Sequence, residues 1–432
     1  MKKWMLILLV ATLSLMALSA GGSVEAENPD EPVTIRFMWW GSQTRHDTTI
    51  KVIELFMEEN PDIIVEYEYG SFENHFDKIL TMMTAGDAPD VFQNSTAYIL
   101  MHAQNGQLLD LQPYIDSGAI DLSDWDDVFK TLGVVEGGTY GLTMGNSAFG
   151  MLYDPILFEE AGIPVPTSDW TWDDYHEALR LVKEKTGLYG DSCYPASMIE
   201  GYVMYLRQHG YIGLFNETRD GLAYDGTDLW VEYFTKQQEM MDKGYVMPYD
   251  QAIDSIISFE QCGLALGTAG MLGCINSNQA VAIANAKGSP VALMPFPHME
   301  GEPQPGTFIG PTMFLSVAKT TEHPEAVARF IDFFLNDPEA NEIMMMERGV
   351  PASAGVRAVL EPQLDEVAAD SSRYVGETAA VSVPFDNIYP AAYNEILGLY
   401  RRTVEDMMFG RVSIEEGGIA FNQQAAALLA GR

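Results

Sequence analysis

Two tryptophans stand close to an arginine and a histidine near the start of the chain, at Trp39, Trp40, Arg45 and His46. An indole face suits the flat apolar side of a sugar ring, and Arg and His side chains bind hydroxyl or carboxylate groups. Gly41 lies between the two pairs and lets a ligand approach the backbone. The alternative is that both tryptophans are strand-end core and that Arg45 and His46 are solvated residues of a helical first turn.

The elements around these residues favour a ligand site. Apolar and polar side chains alternate from Val33 to Trp39, which predicts a strand, and the apolar spacing from Ile50 to Met57 predicts a helix that ends at Asn60-Pro61. In open α/β folds, ligands bind beyond the carboxyl ends of the strands, where the following helix points its free N–H groups.

The same pattern continues along the chain. A second strand is predicted from Ile63 to Tyr69, a helix from Phe72 to Met83 that Gly86 ends, and a third strand from Asp90 to Gln93. Strands that alternate with helices predict a parallel sheet and the α/β class.

Further strands are predicted at Ala148–Tyr153, 291–297 and Thr312–Ala318, and the chain between 147 and 290 is rich in helical patterns. Three stretches, at 137–146, 291–297 and 349–351, are expected to carry the chain from one lobe to another. A chain of 432 residues is too long for one core, so two lobes are expected.

The first residues have the features of an export signal. Lys2 and Lys3 precede an apolar run from Trp4 to Leu18 and a small-residue segment, so residues 1–20 are predicted to be a cleaved signal peptide. Leu18-Ser19-Ala20 resembles the segment before the lipidated cysteine of bacterial lipoproteins, but position 21 is Gly and offers no thiol. We therefore expect an exported, soluble protein, periplasmic or at the cell surface.

The charge balance excludes some partners. Removal of residues 1–20 takes away two lysines and leaves 22 basic against 62 acidic side chains, a net charge of −40. Such a surface repels nucleic acid and anionic lipid, so neither is expected as a partner.

No signature of a cofactor, a metal site or a catalytic centre is present in the sequence, so a non-catalytic protein without a cofactor is expected. Three cysteines are too few for a disulfide framework or a metal cluster, although a Cys262–Cys274 bridge stays open. Gly145 to Gly150 is one residue away from a nucleophile elbow and precedes a strand instead of following one. Some carboxylate pair is expected near any cleft of so acidic a chain, so a secreted carbohydrate-active enzyme stays an alternative.

The order and spacing of the motifs resemble the extracellular solute-binding proteins of sugar-type ABC importers, family 1, the class that contains maltose-binding protein. The matching motifs are Trp40-Gly41, Asn60-Pro61-Asp62, Ala85 to Val91, Tyr140-Gly141-Leu142, Met151 to Asp154, Ala161 to Pro164, Trp170 to Tyr175, Phe330 to Ala340 and Arg348 to Pro351. Together they cover nearly the whole chain after the signal. Two places depart from the family pattern. Gly21 stands where the family has the lipidated cysteine, and Met144-Gly145 stands where the family commonly has a hinge strand that contains proline.

The resemblance implies a two-lobe, periplasmic-binding-protein-like fold of type II, with a hinge and a ligand cleft between the lobes. Lobe 1 is expected to contain residues 28–143 and 293–355, and lobe 2 residues 144–292 and 356–432. It also implies a monomer that captures a monosaccharide or an oligosaccharide by lobe closure and delivers it to the membrane subunits of an ABC permease. A metal-ion-binding receptor of the same fold is a further alternative.

Carried over to this sequence, the family pattern places residues from both lobes in the cleft. The expected contacts from lobe 1 lie after the first and third strands, with others from the crossing, from lobe 2 and from the return to lobe 1; they are Trp39, Trp40, Gly41, Arg45, His46, Gln93, Asn94, Asn146, Tyr202, Gly270, Met271, Asn276 and Thr312. Residues 270–276 are expected to form a loop. For Tyr202 the alternative is core packing, because aromatic side chains are usually buried.

Arg45 carries a more specific expectation. A pairing with a substrate carboxylate would favour oligosaccharides that contain uronate units, whereas the alternative is a surface ion pair with Asp47 or Glu73.

Overall fold

The computed structural model describes residues 31–165, 167–192, 198–252, 261–301, 306–382, 389–390 and 392–431. The predicted signal peptide at residues 1–20, Gly21 and Cys193 lie outside the described residues.

Eight strands form one continuous sheet, in the order β2-β1-β3-β10-β6-β8-β7, with β9 paired to β6. A separate two-stranded sheet contains β4 and β5. The strands are β1 (Val33–Trp40), β2 (Ile63–Gly70), β3 (Val91–Asn94), β4 (Val134–Val135), β5 (Gly138–Thr139), β6 (Leu142–Tyr153), β7 (Tyr189–Asp191), β8 (Ala269–Asn276), β9 (Ala292–Met294) and β10 (Ile309–Val317). β1 pairs in parallel with β2 and β3, as the alternation of strands and helices predicts.

Helices cover the sheet and build most of the second half of the molecule. They are α1 (Gln43–Glu59), α2 (Phe72–Ala85), α3 (Ile99–Gln104), α4 (Gln112–Asp116), α5 (Asp127–Thr131), α6 (Pro155–Glu160), α7 (Trp172–Thr186), α8 (Ile199–Gln208), α9 (Asp228–Asp242), α10 (Ala280–Lys287), α11 (Pro324–Asn336), α12 (Pro338–Met344), α13 (Ala354–Leu360), α14 (Glu366–Val381), α15 (Tyr393–Met408) and α16 (Ile414–Leu429). Short 3₁₀ helices occupy Ser277–Gln279 and Glu361–Gln363.

Local chemistry sets the helix ends that position the candidate site. Ser42 caps α1 by accepting a hydrogen bond from the Arg45 N–H, which is why the helix begins directly after Gly41. Gly86 ends α2 in the left-handed conformation, with φ of 73°, so that the chain can turn toward β3.

The buried apolar side chains fall into separate clusters, which give the fold its two lobes. One cluster contains residues from Ile35 to Ala148 and from Ile309 to Ala352, whereas another contains residues from Met151 to Phe308 and from Ile396 to Ala425. A smaller cluster lies under α10. β6 passes from the first cluster to the second, and the chain returns as it enters β10. The exact lobe boundaries given above stay a prediction.

The structure gives the path of three stretches that were expected to be crossings or a loop. Residues 142–146, expected to carry the chain from one lobe to the other, belong to β6, which pairs with β10 and continues into the second cluster. Residues 270–276 are no loop but part of β8, an apolar run buried between β6 and β7. Val350, expected in a third crossing, pairs with Asn146 and packs in the first cluster. Cys262 and Cys274 are both buried and no disulfide joins them.

Candidate functional site: a gap between the lobes

The strand register directs several strand ends toward the passage between the lobes. In the first lobe β3 ends at Asn94, opposite Phe314 of β10. In the second lobe β8 ends at Asn276, opposite Phe149 of β6, and β7 ends at Asp191, opposite Met271. Because β6 continues from one lobe into the other, these ends face a common region, where an open α/β fold presents its loops.

A cavity of about 730 Å³ lies between helices and turns of the two lobes, and we call it the interlobe gap. From the first lobe it is lined by α3 and the β4–β5 turn, and from the second by the 217–219 turn, the start of α15 and the end of α16; the residues are Leu100, Gln104, Glu136, Glu217, Thr218, Arg219, Pro390, Ala392, Glu395, Leu428, Leu429 and Gly431. Its volume lies within the range of about 300–1,000 Å³ that is usual for small-molecule sites.

A narrow aromatic recess adjoins the gap on the side of the second lobe. It has a volume of about 20 Å³ and is lined by Ile199, Glu200, Val203, Ile212, Gly213, Leu214, Phe215, Phe308, Tyr389 and Tyr393. The rings of Tyr389 and Tyr393 stack with centroids 3.9 Å apart. The recess itself is too small for a sugar, so the gap is the space that a ligand could occupy.

Glu200 is the ionisable side chain of the aromatic recess. Burial among apolar groups raises its pKa, and this effect outweighs its hydrogen bonds and the opposing charge of Arg401. A carboxyl group in this setting can accept or donate hydrogen bonds to an uncharged ligand.

Trp39 and His46 contact each other and form part of the first core. The Trp39 Nε1–H donates a hydrogen bond of 3.1 Å to His46 Nδ1, and the His46 ring stacks on Tyr69. Burial, followed by the charge of Arg45, lowers the pKa of His46. Both side chains pack in the first core, as the alternative interpretation has it, and contact of Trp39 and His46 with a ligand stays a prediction.

Arg45 is held by a residue far away in the sequence. Its Nε–H donates to both carboxylate oxygens of Glu347, at 2.8 and 3.0 Å, and an Nη1–H donates to the Trp40 carbonyl oxygen. The pair is largely buried, with 13% and 19% of the side chains exposed. The partner of Arg45 is thus Glu347 and not Asp47, and its pairing with a substrate carboxylate stays a prediction.

Trp40 lies between α2 and the end of β3. Its ring packs edge-on against Phe72 and His75, and 8% of the residue remains exposed. Gly41 is partly exposed, but a Cβ there would lie 2.3 Å from Arg45 Cδ. The glycine therefore makes room for the Arg45 side chain, in addition to any ligand.

The amides predicted at the strand ends bond within the protein. Gln93 and Asn94 are fully buried; Gln93 Nε2 donates to the Trp40 carbonyl and Asn94 Nδ2 donates to Ser316 Oγ. Asn146, also fully buried, donates to the Val350 carbonyl and accepts from Thr143 Oγ1. None of the three amides has an exposed atom, Gln93 Oε1 has no hydrogen-bond partner among the described residues, and direct ligand contact by these amides stays a prediction.

The remaining predicted contacts include both buried and partly exposed residues. Tyr202 is fully buried among Tyr224, Trp230 and Tyr233, which agrees with the alternative of core packing. Gly270 and Met271 are buried within β8, and their contact with a ligand stays a prediction.

Asn276 and Thr312 keep partial exposure. Asn276 caps the 3₁₀ turn at Ser277–Gln279, and Thr312 Oγ1 donates to the Gly145 carbonyl at 2.9 Å. Trp40, Gly41, Asn276 and Thr312 thus remain proposals as ligand contacts.

The residues that line the gap were missed by sequence reasoning. Leu100, Gln104, Arg219 and Glu395 lie in ordinary helical or turn contexts, and no local pattern distinguishes them. Tyr393, at the start of α15, lines the adjoining recess. It is the one residue near the gap that the sequence could have indicated, because it is aromatic and follows a long segment between two helices.

This architecture, two α/β lobes with a cavity between them, defines the class of two-lobed binding proteins. The chain belongs to the family of bacterial extracellular solute-binding proteins, whose family model matches residues 40–341.

Solved structures agree with this assignment. An extracellular solute-binding protein family 1 from Alicyclobacillus acidocaldarius has a TM-score of 0.83 at 25% identity and covers 93% of this chain and 100% of its own. A periplasmic oligogalacturonide binding protein from Yersinia enterocolitica has a TM-score of 0.77 at 24% identity, with the same coverage, and shows likeness of fold alone.

Curated relatives match over a shorter stretch. The arabinooligosaccharide-binding protein of Bacillus subtilis is 24% identical over 194 residues, which is 43% of this chain and 43% of that protein. An uncharacterised lipoprotein of Streptomyces antibioticus is 27% identical over 183 residues, 40% of this chain and 38% of that protein. The chain thus matches less than half the length of these relatives.

Among the described residues, no helix is both long and apolar enough to cross a membrane. The same part of the chain brings together no group of three His, Cys, Asp or Glu side chains that could hold a metal ion.

Proposed function

We propose that this chain is an exported, non-catalytic binding protein that captures an oligosaccharide in the interlobe gap and delivers it to an ABC permease. The observation that carries the proposal is the gap itself. It is about 730 Å³ in volume, and both lobes supply its walls. A ligand in this space bridges the lobes and favours their approach, because only the closed arrangement lets both walls contact it.

The side chains in and around the gap suit a sugar. Tyr389 and Tyr393 offer aromatic surface beside it. Gln104 lies on the opposite wall, where its amide Nε2–H donates to Glu136 Oε1 at 2.8 Å. Hydroxyl and amide groups of this kind pair with sugar hydroxyls as donors and acceptors.

Support for the ligand class comes from the family and from relatives whose names state an oligosaccharide ligand, in Yersinia enterocolitica and Bacillus subtilis. Export is supported by the segment of residues 1–20, and delivery to a permease by the family resemblance.

A thermal-shift panel tests the proposal. The mature protein is mixed with oligosaccharides of two to five units from several backbones, at concentrations up to the millimolar range. We expect one backbone class to raise the melting temperature in a concentration-dependent way, because a ligand that binds only the folded state stabilises it by mass action. No shift with any neutral or acidic oligosaccharide would contradict the proposal, and release of new reducing ends would show that the protein is an enzyme.

A further inference from the structure

A second cavity lies within the second lobe, and we call it the second-lobe pocket. It is about 220 Å³ in volume and lies between the start of α7, α8, α9 and the segment 298–300. Among the described residues, those that line this pocket line neither the interlobe gap nor the aromatic recess. Its volume is below the range of about 300–1,000 Å³ that is usual for drug-sized ligands, so it has room for one small molecule and not for an oligosaccharide.

Three aromatic rings supply an apolar wall of the second-lobe pocket. The Trp172 ring is tilted by 74° against Tyr205 and by 83° against Tyr233, with ring centroids 6.1 and 6.3 Å apart. The rings of Tyr205 and Tyr233 lie 4.9 Å apart. Rings from three helices thus meet at one wall. Proteins use aromatic rings around a cavity to bind alkylammonium groups, because the face of each ring attracts a cation.

Hydrogen bonds within the protein position this wall. The Trp172 Nε1–H donates to Gln208 Oε1 at 3.1 Å, and Gln208 Nε2 donates to the Pro297 carbonyl oxygen at 2.6 Å. The Tyr205 hydroxyl donates a hydrogen bond to the Glu232 carboxylate, which holds that charge beside the rings. The pocket is therefore preformed, and a ligand would not have to order these side chains when it binds.

Carboxylates outnumber cations in the described lining of the second-lobe pocket. Asp173, Glu232 and Glu300 line it and are exposed. Lys236 also lines it, and its Nζ forms an ion pair with Glu239 at 3.3 Å. A positively charged ligand would therefore meet three carboxylates and one lysine that already has a carboxylate partner.

The surroundings of the pocket keep this balance. Lys243, which follows α9, is close enough for its charge to act on His176, a residue of the lining. The neighbouring cavity, formed by the loop before α7 and by α7 itself, is lined by Asp169, Asp174 and Glu177, and its described lining contains neither Lys nor Arg. The excess of carboxylates is therefore not cancelled by nearby cations.

From these observations we propose that the second-lobe pocket is a ligand site of its own and that it binds a small organic cation with an alkylammonium group. The aromatic rings attract the cation through their faces, and the carboxylates supply the opposite charge. The formal net charge of −38 draws cations toward the protein from a distance. The site is separate from the interlobe gap, so the inference does not depend on which ligand the gap binds.

Calorimetric titration of the mature protein with choline tests the inference. Choline carries a trimethylammonium group, and 3,3-dimethyl-1-butanol has the same shape without the charge. We expect choline to bind one to one with a dissociation constant of about 1 mM or less. The uncharged isostere should bind at least about tenfold more weakly, because only the cation gains attraction from the rings and the carboxylates.

Variants with a matched control locate the bound choline. Trp172→Leu removes one ring of the wall and should weaken choline binding by about tenfold. Asp173→Asn with Glu300→Gln removes two exposed carboxylates of the lining and should weaken binding by about threefold or more. Glu58→Gln with Glu59→Gln removes two exposed carboxylates of α1 and should change it much less. Because Trp172 also packs against the second core, the double variant of the lining keeps the inference testable if Trp172→Leu fails to fold.

Tyr393→Ala, in the aromatic recess, separates the two sites. It should leave choline binding unchanged, and a loss of binding would place choline in the recess and overturn the inference. Equal binding of the uncharged isostere, or no binding of choline, would also overturn it. So would choline binding that is unchanged in the Trp172 variant and equally affected by the two double variants. The thermal-shift panel tests the oligosaccharide proposal separately, so the two proposals can fail independently.

Discussion

Polar side chains at the strand ends of this protein bond mainly to the protein itself. Asn94 bonds to Ser316, Asn146 to Val350, and Arg45 to Glu347, so each contact joins residues separated by more than 200 positions. Sequence reasoning identified residues with strong hydrogen-bonding capacity at the right strand ends. It could not tell ligand contacts from internal ones, because the partner that decides between them is far away along the chain.

The Arg45–Glu347 pair gives a prediction at this scale. Arg45→Ala leaves Glu347 with its charge in a largely buried position, so the free energy of unfolding should fall by about 2–4 kcal/mol. Urea unfolding measures the change, and the Glu347→Gln and double variants complete a cycle that isolates the pair. Ligand affinity of a folded Arg45→Ala protein should stay close to that of the wild type. A large loss of affinity for an acidic ligand would contradict the structural role of Arg45.

Tyr393 gives a second prediction at the residue scale. Its ring lines the recess beside the gap and stacks on Tyr389, so Tyr393→Ala should weaken oligosaccharide binding by about tenfold or more, or ~1.4 kcal/mol. Tyr67→Ala is the matched control, because Tyr67 lies on β2, away from the gap, and is 42% exposed. Calorimetric titration of both variants checks the expectation, and equal losses would place the ligand elsewhere.

At the scale of elements, prediction from sequence worked best where the pattern was local. The spans of β1 and α1 are confirmed because alternation, a Ser cap and a proline after Asn60 all lie within the segment. β8 was missed because an apolar run that contains two glycines reads equally well as a loop, and its neighbours β6 and β7 make it a strand. The full length of β6, from Leu142 to Tyr153, was also not predicted. Its first part is a strand because it pairs with β10, which lies far along the chain.

A glycine in the segment after α12, next to β6 and β10, supports an element-scale prediction. Gly349 has φ of 112°, and a Cβ there would lie 2.9 Å from Thr312 Cγ2 and 3.0 Å from the Asn146 carbonyl oxygen. Gly349→Ala should lower the free energy of unfolding by about 2 kcal/mol or more, because the conformation and the contact both oppose a side chain. Gly376→Ala is the control: Gly376 lies within α14 with nothing within 4 Å of its Cβ position, so this change should stabilise the protein by about 0.5–1 kcal/mol. Denaturant unfolding of both variants measures whether each change lowers or raises the free energy of unfolding.

Two buried histidines on α2 and α3 predict how stability depends on pH. Burial lowers the pKa of His75 and of His102 from 6.5 to about 4, and His75 Nε2–H donates to the Gln93 carbonyl. The folded state keeps both rings neutral while the unfolded state takes up protons below pH 6.5. Their contribution is therefore fully present above pH 6.5 and is lost as the pH falls toward 4.

The size of this effect can be measured. Each buried histidine should remove up to about 3 kcal/mol of unfolding free energy between pH 6.5 and pH 4. Urea unfolding at several pH values should show a shallower decline for His102→Phe than for the wild type. Gly376→Ala, which changes no ionisable group, should leave the slope unchanged, and an equally steep decline for His102→Phe would contradict the assignment.

At the scale of the whole molecule, the two-lobe α/β class could be predicted because it depends on length, on alternating elements and on the order of motifs. The residues that line the gap could not be predicted. Its walls come from α3, the β4–β5 turn, the 217–219 turn and the ends of α15 and α16, which meet only after the chain has passed between the lobes. The set of residues that line the gap therefore became visible only in three dimensions.

The central claim is that an oligosaccharide binds between the lobes and contacts both of them. Hydrogen–deuterium exchange, with and without a saturating oligosaccharide from the thermal-shift panel, tests it most directly. The account predicts slower exchange in two separate regions, at α3 in the first lobe and at residues 392–400 of α15 in the second. Protection confined to one lobe, or located away from both regions, would contradict it.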